Sequence, residues 1–232
     1  MRTHPRTRRG RVDNYEPPPG APLVPGSNQP GWGGYVFAST SAPVTSITAS
    51  FTIPTLSGQT GSDCSIWVGI GNVMQTGIYS TYNTGSTGNN DTIAPWTWFI
   101  SGNGASEFWD PAVYTLTAGD SMTLTLALSA TFWTATQVNH TAGWNYANAT
   151  PVLATGVATS TWEYPYNTGE VIIENENTNL PNYGTLTFSS IAMVPAINAT
   201  YIDAITTVNT STDQTPGAYS AGSFTMTWSN YS

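Results

Sequence analysis

The run SMTLTLALSA, residues 121–130, places an apolar side chain at every second position: Met122, Leu124, Leu126 and Leu128. That period puts one set of side chains on one face of an extended strand and the rest on the other. SITASFTIP (46–54), GTLTFSSIAMV (184–194) and GSFTMTWSNY (222–231) repeat the pattern. Between such runs lie clusters of Gly, Asn, Pro and Ser, the residues of turns. No stretch of twelve or more residues carries helical spacing, and no internal repeat is visible. Many short strands with one apolar face each predict an all-β fold, a two-sheet antiparallel β-sandwich.

The chain has 232 residues, 39% of them hydrophobic and 12% aromatic, enough apolar surface for one large core. Two segments are expected. Residues 1–30 form a basic, proline-rich N-terminal arm, read as extended, and residues 31–232 form the sandwich domain.

Charge is scarce and unevenly placed. Only 8% of residues are charged and the net charge is −8. All five basic residues are arginines in the first eleven positions (Arg2, Arg6, Arg8, Arg9 and Arg11), whereas all 13 Asp and Glu residues follow them. A domain without cations has nothing to neutralise phosphates, so the main domain is not expected to bind nucleic acid. It also has no Lys–Glu pairs to lose in acid, which suits acidic surroundings. The arm resembles the basic start of a signal peptide, but a proline-rich spacer follows it instead of an apolar segment. No run has the length of a transmembrane helix, and no membrane partner is expected. Localisation is therefore read as extracellular by a route not visible in the chain, or as virion-associated, with the arginine-rich arm docking on an acidic protein assembly.

The inventory of reactive side chains is short. One cysteine, Cys64, excludes an internal disulfide. With His4 in the arm and His140 in the turn VNHTAG, neither a metal site nor a Ser-His-Asp or Cys-His hydrolase is expected. No cofactor is implied. N-glycosylation sequons occur at Asn90, Asn139, Asn148, Asn198, Asn209 and Asn230, a number that chance explains in so Thr- and Ser-rich a chain.

The carboxylates of GEVIIENEN say more. Glu170, Glu174 and Glu176 share one face of a regular strand, spaced about 13 Å and about 7 Å apart. Glu170 opens an apolar stretch between Gly169 and Val171, and a partly desolvated carboxyl suits general acid–base work. Glu174 and Glu176 sit beside Asn residues and read as solvated. Taken alone, the run favours an ordinary strand-edge carboxylate at 170 over a catalytic one. The nine Trp are individually core residues, yet together they exceed what a core needs and fit a groove for peptide or sugar. In SIWVGIGNVMQTG (65–77), Gln75 follows a buried strand and a turn; neutral, it needs a partner to do chemistry.

These segments, in order, resemble the glutamic peptidases, or eqolisins. GWGGYVF is similar to the opening N-W-x-G segment of that family, and SIWVGIGNVMQTG to the W-V-G-I…L-Q-T-G segment that carries its catalytic glutamine. PWTWF (95–99) resembles W-x-E-W, LTAGDSMTLTL (116–126) the G-D-x-x-x-V strand, and VNHTAG (138–143) the N-x-T-x-G turn. GEVIIE (169–174) resembles the A-E-W-I-x-E strand with the catalytic glutamate, and LPNYGTLTFSSI (180–191) the L-x-x-F-G-x-V-x-F strand. The resemblance implies a concanavalin-like jelly roll, with Gln75 and Glu170 as the catalytic dyad on its concave face. It further implies an acid endopeptidase with a polypeptide substrate, and a substrate cleft with Trp67 as one wall and Trp98 and Trp32 as further contacts. The chain departs from the family at Gly31, Gly71 and Thr97, which stand where it has Asn, Asp and Glu. Its glutamine loop is shorter, and the family's common disulfides are absent. Those departures bear on rate and pH optimum more than on fold. Two other functions stay open: a non-catalytic relative that binds glycan or peptide or decorates a virion, and a glycosidase using Glu174 and Glu176.

Overall fold

In the computed structural model the residues described are 31–39, 42–71, 74–82, 92–99, 106–108, 113–129, 132–151, 168–175, 179–198, 202–205, 207–208 and 212–230. The expected arm, residues 1–30, lies outside them, as does Glu176. Every element among the described residues is a strand. One seven-stranded sheet contains, in spatial order, β12 (Ile202–Ile205), β1 (Trp32–Ala38), β10 (Thr168–Asn175), β3 (Asp63–Ile70), β4 (Met74–Thr81), β5 (Thr92–Phe99) and β6 (Ser106–Phe108). The other has eight: β13 (Thr207–Val208), β14 (Thr212–Pro216), β15 (Phe224–Asn230), β11 (Thr185–Val194), β2 (Ser46–Thr52), β7 (Ser121–Ser129), β8 (Phe132–Asn139) and β9 (Trp144–Pro151). The strand pairs are antiparallel, as expected of a sandwich.

Two layers of apolar side chains explain the contrast between the sheets. The main core lies between them, with Phe37, Ile66, Val68, Ile70, Met74, Ile78, Val171 and Ile173 from the first meeting Ile47, Phe51, Met122, Leu124, Leu126, Phe188 and Met226 from the second. Strands β2, β7 and β11 show the one-sided alternation expected of them; Met122, Leu124 and Leu126 are buried, and Leu128 packs partly buried against the same core. Strand β3 differs, being buried at all eight positions. Its second face belongs to a separate cluster of Val36, Trp67, Trp96 and Ile172, with Trp32, Ala38 and Tyr79 packed on it, all from the first sheet. A strand covered on both faces shows no alternation in its sequence.

Two buried glutamines join the sheets. Gln137 on β8 donates through Nε2 to the carbonyls of Gly77 (2.8 Å) and Trp96 (3.0 Å) and to Thr76 Oγ1 (3.0 Å). Gln214 on β14 donates to the carbonyl of Ile173 on β10 at 2.9 Å, and its Oε1 accepts from Tyr183 at 3.1 Å. The turn after β8 consumes one of the glycosylation sequons. Asn139 is fully buried, donates to Asp120 Oδ2 at 2.7 Å and accepts from the backbone N–H groups of Thr141 and Ala142. His140, beside it, is exposed, with Nε2 2.9 Å from Thr123 Oγ1.

Burial raises the pKa of the Tyr183 phenol, and the neighbouring Cys64 adds to the shift. The folded chain therefore holds that proton more tightly than the unfolded chain. The corresponding stability is complete below the ordinary phenol value of about 10 and is lost as pH rises above it. Denaturant unfolding followed by circular dichroism is expected to show a stability that falls above about pH 10. Tyr183→Phe should flatten that fall while costing about 1 kcal/mol at neutral pH for the lost hydrogen bond.

Candidate functional site

Register brings the two expected residues together. Glu170 on β10 stands opposite Gly69 on β3, and Gly69 stands opposite Gln75 on β4. Directly opposed residues share a face, so Glu170 and Gln75 project from the same side of the sheet, with only a glycine between them. At about 4.8 Å per strand their Cα atoms lie about 10 Å apart, a span that two long side chains reach across from either side. Val36 extends the row beyond Glu170, and Trp98 extends it beyond Gln75; the side chain of Trp98 lies outside the described residues.

Gly69 is what keeps this space open. A β-carbon built there would lie 2.6 Å from Glu170 Oε2 and 2.7 Å from Trp67 Cζ3. The carboxylate thus leans over the glycine, toward Gln75. Glu170 is 5% exposed, desolvated as its apolar flanks led one to expect, and Thr168 Oγ1 lies 3.4 Å from its Oε1. Gln75 is half-buried.

The next rows on this face are aromatic. Trp67 stands opposite Ile172 on one side and Gly77 on the other, and Gly77 stands opposite Trp96. A side chain at Gly77 would collide with the Ile66 carbonyl and Trp67 Cβ, so glycine there is what lets β4 lie close against Trp67. Trp67 and Trp96 are fully buried beneath this face, with Trp32 and Tyr79 packed on them. Trp32 is half-buried and meets Trp67 edge-on, with ring centroids 5.0 Å apart and an interplanar angle of 81°. Glu174 stands opposite Trp32 and Ser65. It is half-buried, and its Oε2 accepts from Trp67 Nε1 at 3.0 Å, which corrects the reading of Glu174 as a solvated carboxylate. The indoles are also spread wider than a groove alone: Trp133 is buried in the main core, against which Trp144 and Trp228 pack.

Composition and motif pointed to neither Asp63 nor Gln137. Asp63 is buried on the same face as Trp67 and accepts from Tyr79 Oη at 2.6 Å. Gln137 grips the back of β4, immediately after Gln75. The one signal in the sequence was Gly69 itself, since a glycine inside a strand marks a close approach. No group of three or more His, Cys, Asp or Glu among the described residues is arranged to hold a metal ion.

Of the departures noted in the sequence, Thr97 falls off this face. Thr97 is buried on the inter-sheet side, its Oγ1 3.3 Å from Thr76 Oγ1 beside the Gln137 amide. Gly71 ends β3 at φ +49°, a left-handed conformation suited to glycine, and its N–H donates to the Thr168 carbonyl at 2.9 Å.

The peptidase A4 family model matches residues 30–228. The chain belongs to that family. Its fold is similar to that of scytalido-glutamic peptidase, solved with a transition-state-analogue inhibitor: TM-score 0.66 and 18% identity over 88% of this chain and 100% of that one. It is also similar to SCP-B, a member of the eqolisin family solved with the tripeptide Ala-Ile-His, with TM-score 0.59 and 15% identity over the same shares. No curated protein matches. The β-sandwich expected from alternation and from the motifs is the fold of this family.

The crowding over Gly69 yields a test of the site's geometry. Gly69→Ala must displace the Glu170 carboxylate or the Trp67 ring, and both are held in place by burial. The variant is expected to lose about 2 kcal/mol of stability, as overpacked sites do. Denaturant unfolding of the variant beside the wild type checks this.

Proposed function

We propose that this A4-family chain is an endopeptidase acting in acid, with Glu170 and Gln75 as its catalytic pair. The observation that carries the proposal is the row Glu170–Gly69–Gln75, with the carboxylate leaning over the glycine toward the amide. A water held between the Glu170 carboxylate and the Gln75 amide would sit between a base and a neutral donor. Ionised Glu170 takes a proton from that water as it attacks the scissile carbonyl. The Gln75 amide donates to the oxyanion that develops, a task for a fixed group that does not itself titrate. Protonated Glu170 then returns the proton to the leaving nitrogen, so the general base of the first step is the general acid of the second. The substrate is a polypeptide, lying along the face beneath which Trp67 and Trp96 are buried, with the half-buried Trp32 as a contact. The absence of Lys and Arg after residue 11 supports work in acid, because few native ion pairs are there to be lost.

Cleavage of a denatured protein, followed from about pH 2 to about pH 7, tests this directly. Activity is expected to peak in acid. Glu170→Gln should lower kcat by about 10²–10⁴-fold and Gln75→Ala by about 10²–10³-fold, with both variants folded. A folded wild-type protein that cleaves nothing across that range would overturn the proposal in favour of a binding role for the same face.

A further inference from the structure

Trp67 is held at two opposite edges. Its pyrrole N–H points to Glu174 Oε2 at 3.0 Å. The far edge of its benzo ring, Cζ3 and Cε3, lies 2.7 and 3.3 Å from where a β-carbon of Gly69 would stand, the same spot that Glu170 Oε2 approaches to 2.6 Å. Glu174 and Glu170 belong to one strand and one face, aligned with Ser65 and Gly69 respectively, and Trp67 lies between those two rows. The indole therefore runs as a rigid spacer from one carboxylate to the other. Trp32 meets it edge-on at 5.0 Å, while Ile172 and Gly77 flank it across the sheet. Tilt and sideways shift are thereby limited. What remains is rotation of the ring about its own attachment, and the hydrogen bond at Nε1 opposes that motion. A charge-assisted bond of this kind is directional and stronger than a neutral one.

We propose that Glu174 is a positioning residue for the reaction proposed above. By holding Trp67 Nε1 it sets where the benzo edge lies over Gly69, and so sets where the Glu170 carboxylate stands. The inference rests on the peptidase reading, because only in that reading does the placement of Glu170 change a rate. Glu174 touches neither the reacting atoms nor Gln75; it acts through the ring. An acceptor of the same shape without charge should serve, since the bond requires only an oxygen facing the indole N–H.

Four variants of the full chain test this: Glu174→Leu, Glu174→Gln, Trp67→Phe, and Trp67→Phe combined with Glu174→Leu. With the peptide assay, Glu174→Leu is expected to lower kcat about 10- to 100-fold with KM little changed, as a small misplacement of a catalytic group does. Glu174→Gln should recover most of the loss. In the Trp67→Phe background, which lacks the N–H, Glu174→Leu should cost almost nothing more. The indole N–H resonance that disappears in Trp67→Phe should move in Glu174→Leu and stay in place in Glu174→Gln, a readout that does not depend on activity. An active wild type whose kcat is unchanged by Glu174→Leu overturns the positioning role, as does a loss confined to KM or full additivity in the double variant. An inert wild type overturns the peptidase reading, and the positioning role falls with it; the resonance would then still report whether the bond exists.

Discussion

The site depends on strand register, correct to a single residue. Glu170, Gly69 and Gln75 share a face only while β10, β3 and β4 keep their pairing, and a slip of one position would turn Glu170 or Gln75 to the other side of the sheet. The residues that enforce that pairing are the ones immediately beside the site. Val171 and Ile173 flank Ile172 on β10, Val68 and Ile70 bracket Gly69 on β3, and Met74 precedes Gln75 on β4; all five lie in the core between the sheets. Moving any of these strands by one residue would expose several large apolar side chains at about 1.5–3 kcal/mol each. The hydrophobic core thus fixes the geometry of a polar site on its opposite side, without any of its atoms reaching that site.

Gly69 and Gly77 show the same logic along a single face. A side chain at the first would meet Glu170 and Trp67, and one at the second would meet Trp67 and the Ile66 carbonyl. A glycine in a strand costs conformational entropy and a packing contact. Here each converts a potential clash into an approach, so that a carboxylate and three indoles occupy a face only a few strands wide.

Much of the fold was legible in the sequence because the second sheet alternates cleanly. Strands β2, β7 and β11 bury one side, and period two is visible without any knowledge of their partners. The first sheet was harder to read. Strand β3 is buried on both faces, so its sequence marks a strand but not which residues face the core. Glu170 read more naturally as a strand-edge carboxylate because its partner in space, Gly69, is remote in the chain, and pairing across strands leaves no local signature. Glu174 was misread for a related reason. Its neighbours in sequence include Asn175, which points the other way, while its neighbours in space are Trp67 and Trp32. The family motifs pointed to Gln75 and Glu170, which the register sets on one face, but they did not indicate that Thr97 would lie on the other side of the sheet.

The two strands that carry the proposed pair are each gripped from behind by a buried amide, Gln137 at β4 and Gln214 at β10. A glutamine amide is neutral and does not titrate, so these clamps deliver the same hydrogen bonds whatever the ionisation of the carboxylates in front of them. Frame and chemistry are thereby decoupled. The charge on the working face can change with its surroundings, or by substitution over evolutionary time, without loosening the strands that hold the reacting groups in line.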